Sequence, residues 1–380
     1  MRTFFKKILI LLLPVFALFA FPVAVQIKSG ELTPLSTIIA AQLSTSTAVL
    51  YGSAYSDQTT YFKQQMIQKL NPEILALGNS KILTMRREFF DASTTFYNAG
   101  GTTAAIEDYR VFLEKSGVYP NIVIITVEPL NFDPTLSINT SVELQKLQPI
   151  STLSEDTNLI TDSWSSVYED YALQKFTLGE MFRASGGAEN NATDTPERTI
   201  GLNALINDSG TRNDGSYHYG KQYVGDQGRI DRINDAINFL EHKQEASSTE
   251  SFSTEAVNEL DSLLAYCKAH NIYVIGYIPP TPHAVALAYQ QFPSYDYIFQ
   301  TYAKTDPTFK KYGFTLFNFF DMASLGAPDT EAIDGYHTDE KTMLRVLISM
   351  AESDKTLAGA VDVSRLKQAL NTAADPNNVL

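Results

Sequence analysis

The chain has 380 residues, 44% of them hydrophobic, which is enough for one large folded domain or two smaller ones. Its formal net charge of -14 and its lack of a Lys and Arg cluster beyond the extreme N-terminus argue against a nucleic-acid partner, because binding to a phosphate backbone requires such a cluster. The one cysteine, Cys267, excludes an intrachain disulfide and Cys-rich zinc patterns, and its apolar helical context predicts a buried side chain.

The N-terminus combines basic residues with a long apolar run. Arg2, Lys6 and Lys7 precede residues 8–25, which carry no charge and approach the ~20 residues needed to cross a membrane. No clear small-x-small cleavage site closes this run, so residues 1–28 are predicted to be an uncleaved anchor rather than a signal peptide. The positive-inside bias then predicts a single-pass protein of the cell membrane, with a cytoplasmic N-terminus and an extracytoplasmic main domain.

The remaining elements follow in chain order. Residues 29–70 combine Ser, Thr and Ala with short apolar runs and are predicted to form a stalk with helical stretches. From residue 71 onward, short apolar runs alternate with helical patterns, which is typical of an α/β fold with a mostly parallel sheet. Strands are predicted at 74–77, near 96–97, at 122–127, at 273–278 and near 316–318. The run at 122–127 is apolar on both faces and is therefore placed at the centre of the sheet.

Helical patterns connect these strands at 82–89, 104–115 and 254–270, and a last one follows His337. Between about residues 135 and 253 the chain is rich in Ser, Thr, Asn, Asp and Gly, which predicts an insertion or cap. The α/β domain is therefore predicted to span residues 71–360 with this insertion inside it. Residues 361–380 are predicted to be a C-terminal tail whose polar end frays.

Ser80 follows the first predicted strand, in the turn Gly78-Asn79-Ser80 before a helical pattern. A serine at this place can project its hydroxyl from the carboxyl edge of a sheet, while the following helix offers backbone N–H groups to an oxyanion. The same place is also the usual one for a helix N-cap. The residue alone therefore leaves both interpretations open.

Asp334 and His337 lie three residues apart in a Gly-containing loop before the last predicted helix. This spacing would let His337 serve as general base to a distant serine while Asp334 orients its ring. A turn Asp beside a surface His would give the same pattern. His283, after the strand at 273–278, is the rival base, although it has no Asp beside it in the sequence.

Other strand ends contain candidate oxyanion donors. Asn131 follows the central strand, and Gly100 and Gly101 follow the strand near 96–97. A side-chain amide or a glycine N–H can stabilise the negative charge of a tetrahedral intermediate. Both residue types are also ordinary turn residues at strand ends.

The insertion contains a segment dense in polar and aromatic residues. Within it, Arg212 and Asp214 could hydrogen-bond a saccharide, and Tyr217 could stack on it. Turn chemistry explains the glycines of this segment equally well.

These segments, in their order along the chain, resemble the sequence blocks of the SGNH (GDSL-like) hydrolase superfamily. The similarity covers about residues 71–135 and 255–355. The blocks are Gly78-Asn79-Ser80, Asn98-Ala99-Gly100-Gly101, Asn131 and Asp334-Gly335-Tyr336-His337. Two places depart from the pattern, since Asn79 stands where the common motif has Asp, and Glu128-Pro129-Leu130-Asn131 replaces the usual Gly-x-Asn-Asp.

The resemblance implies a three-layer α/β/α sandwich and a serine acyl-ester hydrolase or O-acyltransferase. Ser80 would be the nucleophile, His337 the base and Asp334 its partner. The implied oxyanion donors are the Ser80 backbone, Gly100 or Gly101, and Asn131. No metal or cofactor is expected.

With its N-terminal anchor, the chain is similar to the cell-envelope branch of the superfamily, which includes the D-alanine transfer proteins. An acylated saccharide or envelope polymer is the expected substrate, and the membrane and an envelope assembly complex are candidate partners. The alternative is a catalytically silent anchored module that binds a polysaccharide or a partner protein in the same crevice. A flavodoxin-like nucleotide binder would need a Gly-rich phosphate loop after the first strand, which the sequence lacks.

Overall fold

The computed structural model describes residues 2–44, 48–56, 58–135, 153–183, 198–222, 225–242 and 252–380. It divides the chain into two compact units. Unit 1 comprises Met1–Gln58, Gln148–Asn213 and His218–Gln222. Unit 2 comprises Thr59–Leu147, Asp214–Tyr217 and Tyr223–Leu380.

The described residues form both strands and helices. The strands are β1 (Val49–Tyr51), β2 (Ile74–Leu77), β3 (Phe96–Asn98), β4 (Ile122–Thr126), β5 (Arg198–Ile200), β6 (Gly210–Thr211), β7 (Tyr217–His218), β8 (Tyr273–Ile278) and β9 (Thr315–Asn318). The helices are α1 (Arg2–Ser29), α2 (Leu35–Gln42), α3 (Thr59–Leu70), α4 (Ile106–Ser116), α5 (Leu153–Ala172), α6 (Leu178–Arg183), α7 (Leu202–Asn207), α8 (Gly225–His242), α9 (Thr254–Ala269), α10 (His283–Tyr289), α11 (Asp296–Tyr312), α12 (Glu340–Ser353), α13 (Lys355–Ala358) and α14 (Val363–Thr372).

Unit 2 is built on a five-stranded sheet of order β3-β2-β4-β8-β9, and every neighbouring pair is parallel. The predicted α/β class with a mostly parallel sheet is confirmed. β2 and β8 coincide with the predicted strands at 74–77 and 273–278. The central strand, β4, is buried along its whole length, as its apolar run predicts.

One face of this sheet carries a cluster of buried apolar side chains. Ile74 of β2 and Ile124 of β4 belong to this cluster, together with Met343 and Leu347 of α12. The apolar positions of α12 recur at helical spacing, so that one side of the helix lies on the sheet. Full burial of such a side chain stabilises the fold by about 1.5–3 kcal/mol.

The opposite face of β8 meets α11. A Cβ atom at Gly276 would lie 2.3 Å from the Phe309 ring, so only a glycine lets α11 approach β8 this closely. Local signals fix the helix ends. Ser253 accepts a hydrogen bond from the Ala256 N–H at the start of α9, and α11 ends at Gly313 in the left-handed conformation, with φ 75°.

Cys267 of α9 is fully buried in unit 2, as predicted. Burial raises the pKa of its thiol to about 12.

Residues 29–70, which the sequence predicts to be a stalk, form regular structure in both units. β1 pairs in parallel with β5 and antiparallel with β6 in unit 1. α3 lies in unit 2, with Phe62 and Met66 fully buried. Strands of two or three residues are too short to show the two-residue alternation by which strands are recognised, so the sequence pattern does not reveal β1.

The predicted insertion at 135–253 is divided between the two units. Gln148–Asn213 and His218–Gln222 join unit 1, whereas α8 belongs to unit 2. Residues 136–152, 184–197, 223–224 and 243–251 of this region lie outside the described residues.

The N-terminal helix α1 contains a segment, Leu11–Ser29, with mean hydropathy 2.0, which is long and apolar enough to span a membrane. Within unit 1, the final part of α1 buries one of its faces. Val25 belongs to a cluster with Val167 and Leu202, and the Gln26 side-chain amide donates a hydrogen bond to the Ser163 hydroxyl at 2.9 Å.

The C-terminal end is ordered further than the sequence predicts. α14 buries Leu366, and Val379 lies in the same apolar cluster as the sheet side chains. These two side chains anchor the segment that composition alone indicates to be a fraying tail.

Candidate active site

Ser80 lies at the carboxyl end of β2, in a turn that the sequence shapes in three steps. Gly78 follows the strand directly, and only glycine fits there, because a Cβ atom would lie 2.2 Å from Thr126 Oγ1 on the adjacent β4. The Asn79 side chain caps the following 3-10 turn by accepting a hydrogen bond from the Lys81 N–H at 3.1 Å. Asn79 is therefore the N-cap, and Ser80 is the first residue of the 3-10 turn Ser80–Ile82.

The Ser80 hydroxyl is hydrogen-bonded to an imidazole from a distant part of the sequence. Ser80 Oγ lies 2.8 Å from His337 Nε2, although the two residues are 257 positions apart in the sequence. On the other side of the ring, His337 Nδ1 lies 2.9 Å from Asp334 Oδ2 and 3.1 Å from Asp334 Oδ1. The structure thus brings together the three residues predicted from strand ends and spacing.

The Asp334 carboxylate is held within its own loop. Asp334 Oδ1 accepts hydrogen bonds from the backbone N–H groups of Tyr336 and His337, at 2.7 and 2.8 Å. Burial raises the pKa of Asp334, but the interactions with His337 and these backbone bonds outweigh it, so the pKa lies below its usual value. Asp334 is therefore ionised near neutral pH and can orient the Nδ1–H tautomer of His337.

The loop that carries Asp334 and His337 packs against α8. A Cβ atom at Gly335 would lie 2.2 Å from Ala236 Cβ and 3.2 Å from the Arg232 carbonyl oxygen. Glycine at this position therefore sets how closely the loop approaches the helix, and through it the position of His337.

Both neighbours of Ser80 bind one carboxylate at the end of β4. Glu128 accepts a hydrogen bond from Asn79 Nδ2 at 3.2 Å and forms an ion pair with Lys81 Nζ at 2.9 Å. The Glu128 side chain is 6% exposed, so this pair is largely shielded from water. Sequence reasoning missed this role of Glu128, although a charged residue directly after a buried strand was the available signal.

Two of the predicted oxyanion donors already form hydrogen bonds within the protein. The Gly100 N–H donates to Asn98 Oδ1 at 2.8 Å, and the Gly101 N–H donates to the Gly78 carbonyl at 2.8 Å. Both N–H groups therefore bind within the protein, and neither is free for an oxyanion in this arrangement. They shape the turn beside Ser80, as the alternative interpretation of glycine at strand ends allows.

Asn131 differs from the two glycines. It lies in the 3-10 turn Pro129–Phe132 after β4, and its Nδ2 atom is buried without a hydrogen-bond partner among the described residues. The Ser80 N–H opens a 3-10 turn, and the first N–H of such a turn has no partner inside it.

The three candidates in the predicted insertion have separate surroundings. In unit 2, the Asp214 carboxylate accepts hydrogen bonds from the Arg87 N–H at 2.7 Å and the Ser216 N–H at 2.9 Å, which is turn chemistry. The Tyr217 N–H donates to the Leu83 carbonyl. In unit 1, Arg212 Nη2 lies 2.9 Å from His218 Nδ1.

His283 has a carboxylate partner that the sequence does not reveal. Its Nδ1 atom lies 2.9 Å from Asp321 Oδ2, from the turn after β9. In the part of the chain that the structure describes, no serine is hydrogen-bonded to His283, whereas Ser80 is bound to His337.

No group of three or more His, Cys, Asp and Glu side chains within the described ranges is placed to hold a metal ion. Comparisons with protein-family models, curated proteins and solved structures found no match to this chain. The fold and the site define an α/β protein with a Ser-His-Asp hydrogen-bonded chain at the carboxyl ends of its parallel strands.

Proposed function

We propose that this chain is an extracytoplasmic serine acyl-ester hydrolase or O-acyltransferase of the SGNH type. The observation that carries the proposal is the continuous chain from the Ser80 hydroxyl through His337 to Asp334, with heavy-atom distances of 2.8 and 2.9 Å. These distances lie within the range in which a base can take the proton of a nucleophile.

The proposed architecture is the three-layer α/β/α sandwich of this superfamily. The strand order β3-β2-β4-β8-β9 supports it, because this is a doubly wound order. The chain passes from β2 to β3 on one side of β2 and then continues with β4 on the other side, so the order reverses between β2 and β4. Such sheets bind ligands in the crevice outside the carboxyl ends of the strands, where Ser80 lies.

In the proposed reaction, Ser80 Oγ attacks the acyl carbonyl carbon and its proton passes to His337 Nε2. The bond from that carbon to the leaving alcohol then breaks, and the alcohol oxygen takes the proton from Nε2. An acyl ester on Ser80 remains. Water or an acceptor hydroxyl attacks this ester, gives its proton to Nε2, and the proton returns to Ser80 Oγ as the acyl group leaves.

The proposed oxyanion donors are the Ser80 N–H and the Asn131 side-chain amide. The Asn131 Nδ2 atom supports this role, because an amide that has no hydrogen-bond partner among the described residues can bind a developing negative charge without first breaking such a bond. The proposed substrate is an acyl group on a saccharide or envelope polymer. The apolar helix α1 supports a membrane location with the main domain outside the cytoplasm, and an envelope assembly complex is a proposed partner.

The test is labelling of the full chain, purified in detergent, with a fluorophosphonate probe that reacts with activated serines. We expect the wild type to be labelled, Ser80→Ala to abolish labelling, and His337→Ala to slow it by at least about 100-fold. His283→Ala is the matched control, since His283 is also paired with an aspartate, and it should label within about twofold of the wild type.

Labelling that survives Ser80→Ala, or that depends on His283 rather than His337, would contradict the assignment. A wild type that is not labelled would indicate the alternative, an anchored binding module without catalysis.

A further inference from the structure

Five aromatic side chains lie together where α1 and α5 meet in unit 1. They are Phe19 and Phe21 of α1, and Trp164, Tyr168 and Tyr171 of α5. The ring centroids of Phe19 and Trp164 are 5.2 Å apart. The Phe21 centroid lies 5.3 Å from that of Tyr168 and 5.2 Å from that of Tyr171. We call these five side chains the aromatic cluster.

Two members of the cluster bind a carbonyl group that α1 leaves without its helical partner. In a regular helix the Leu18 carbonyl would accept a hydrogen bond from the N–H of residue 22, but Pro22 has no N–H. Trp164 Nε1 donates to the Leu18 carbonyl oxygen at 3.3 Å, and the Tyr168 hydroxyl donates to it at 2.7 Å. Because lipid offers no donors, a carbonyl at the edge of a membrane needs such donors from the protein.

The buried end of α1 limits how far a membrane can extend along this helix. Val25 is buried in unit 1, and the Gln26 side chain is hydrogen-bonded to Ser163. The lipid-embedded segment must therefore end before Val25. Residues 8–24, which carry no charge, have a helical length of about 26 Å, less than the roughly 30 Å of a hydrocarbon core. No length of helix remains to hold unit 1 away from the membrane.

Another face of α1 stays apolar and exposed beside the aromatic cluster. Its side chains are Phe16, 68% exposed, Phe19, 53%, Val23, 41%, and Ile27, 65%, and their spacing of three or four residues places them in one row. We call this row the exposed stripe. An exposed apolar surface of this kind indicates a membrane or a protein partner. Since the stripe continues the apolar segment that can span a membrane, its continuity selects the membrane.

We propose that the aromatic cluster and the exposed stripe lie at the boundary between the hydrocarbon and the head groups of a phospholipid membrane. Trp and Tyr suit this boundary, because their rings can face hydrocarbon while their N–H and O–H groups reach polar atoms. Unit 1 then lies directly on the bilayer. The first part of α1 anchors the chain, and the cluster sets the depth of unit 1. This inference rests on the proposed membrane location and does not depend on the acyl-ester chemistry.

Trp164 is the single tryptophan of the chain, so its fluorescence reports on the aromatic cluster alone. The full chain is reconstituted in phosphatidylcholine vesicles whose lipids carry a nitroxide quencher, either on the head group or near the end of the acyl chain. We expect the head-group nitroxide to quench Trp164 at least about threefold more strongly than the deep nitroxide.

The matched control moves the reporter along α1 in the same chain. Leu13→Trp is combined with Trp164→Phe, because Leu13 is exposed and lies about 8 Å further toward the N-terminus than Leu18. The tryptophan of this variant should be quenched more strongly by the deep nitroxide. The two reporters thus measure the depth of the anchor and the depth of the cluster separately.

Three outcomes overturn the proposal. If the Leu13→Trp reporter is quenched but Trp164 is quenched by neither nitroxide, the anchor stands and unit 1 lies away from the bilayer. If acrylamide in the water also fails to quench Trp164, a protein such as a second copy of this chain covers the cluster. If Trp164 is quenched more by the deep nitroxide, the cluster lies inside the hydrocarbon.

A further result separates this proposal from the other two. If neither reporter is quenched by lipid, α1 does not enter the membrane, and the proposed membrane location fails together with this inference. Fluorophosphonate labelling of Ser80 on the same vesicles tests the acyl-ester chemistry, and its result does not depend on the depth of Trp164.

Discussion

Lys63 shows how a single buried amine can hold the turn beside the candidate site. Its side chain is fully buried, and Nζ donates hydrogen bonds to the carbonyl oxygens of Gly100 at 2.8 Å and Gly215 at 2.7 Å. Burial lowers the pKa of this amine to about 7, although the charge of Asp214 opposes the shift. The neutral amine has two N–H donors, which match the two carbonyl acceptors.

The titration of Lys63 predicts a pH dependence of stability. In the unfolded chain the amine titrates near its usual pKa of 10.5, so folding releases a proton between about pH 7 and pH 10.5. The contribution of Lys63 to the free energy of unfolding should therefore rise by about 1.4 kcal/mol per pH unit in this interval. Guanidinium unfolding at pH 7 and pH 9 should show the difference between wild type and Lys63→Met moving by about 2–3 kcal/mol in favour of the wild type. An unchanged difference would show that Lys63 stays protonated.

At this scale the sequence predicts residues that follow strands, but not partners that meet in space. Ser80, Asp334 and His337 are found because each occupies a recognisable place in the chain. The pairing of Glu128 with Lys81, and of Asp321 with His283, depends on which strands are neighbours. Adjacent strand ends become neighbours only once the order of the sheet is known, and periodicity does not give that order.

At the scale of elements, the strands are predicted better than the segment after Ser80. The sequence predicts one helix at 82–89, whereas the structure has two short 3-10 turns, Ser80–Ile82 and Arg87–Phe89. The Asn98 side-chain amide donates hydrogen bonds to the carbonyl oxygens of Ile82 and Met85, both at 2.8 Å. The Asn98 amide thus binds carbonyl groups that would accept backbone hydrogen bonds in a continuous helix. The apolar residues keep their helical spacing in the sequence, but the segment does not form the helix.

Gly335 allows a test of how an element positions a reacting group. Gly335→Ala would place a methyl group against Ala236 of α8 and move the loop that carries His337. We expect fluorophosphonate labelling to slow by at least about tenfold, because small displacements of a base are costly, and stability to fall by about 1–3 kcal/mol.

Gly359→Ala is the control for this prediction. A Cβ atom there would meet only the Thr356 carbonyl oxygen, at an ordinary 3.5 Å, so both labelling and stability should stay close to the wild type. Equal labelling rates in the two alanine variants would show that α8 does not position the loop.

For the whole molecule, the N-terminal helix belongs to two environments. Its first part exposes large apolar side chains such as Leu11, Leu13 and Phe16. Its last part buries Val25 and Gln26 within unit 1. The helix therefore combines a segment suited to lipid with a segment of the folded core, which the hydropathy pattern alone does not separate.

Two deletions distinguish these parts. Removal of residues 2–17 should abolish membrane association and leave unit 1 folded, because the buried end of α1 remains. Removal of residues 2–29 should also expose Leu202 and Val167, and limited proteolysis should then cut α7 at least about tenfold faster than in the shorter deletion. Equal cleavage of α7 in both forms would show that the end of α1 contributes nothing to unit 1.

The distance along the chain between Ser80 and His337 also bears on when the protein can act. Because 257 positions separate Ser80 from its proposed base, a nascent chain that has reached only the middle of its synthesis holds the proposed nucleophile without that base. Under the proposed topology, the imidazole crosses the membrane among the last segments to be exported. The proposed ester-cleaving activity would thus begin only after translocation, and the cytoplasm would be spared premature deacylation without any separate inhibitor.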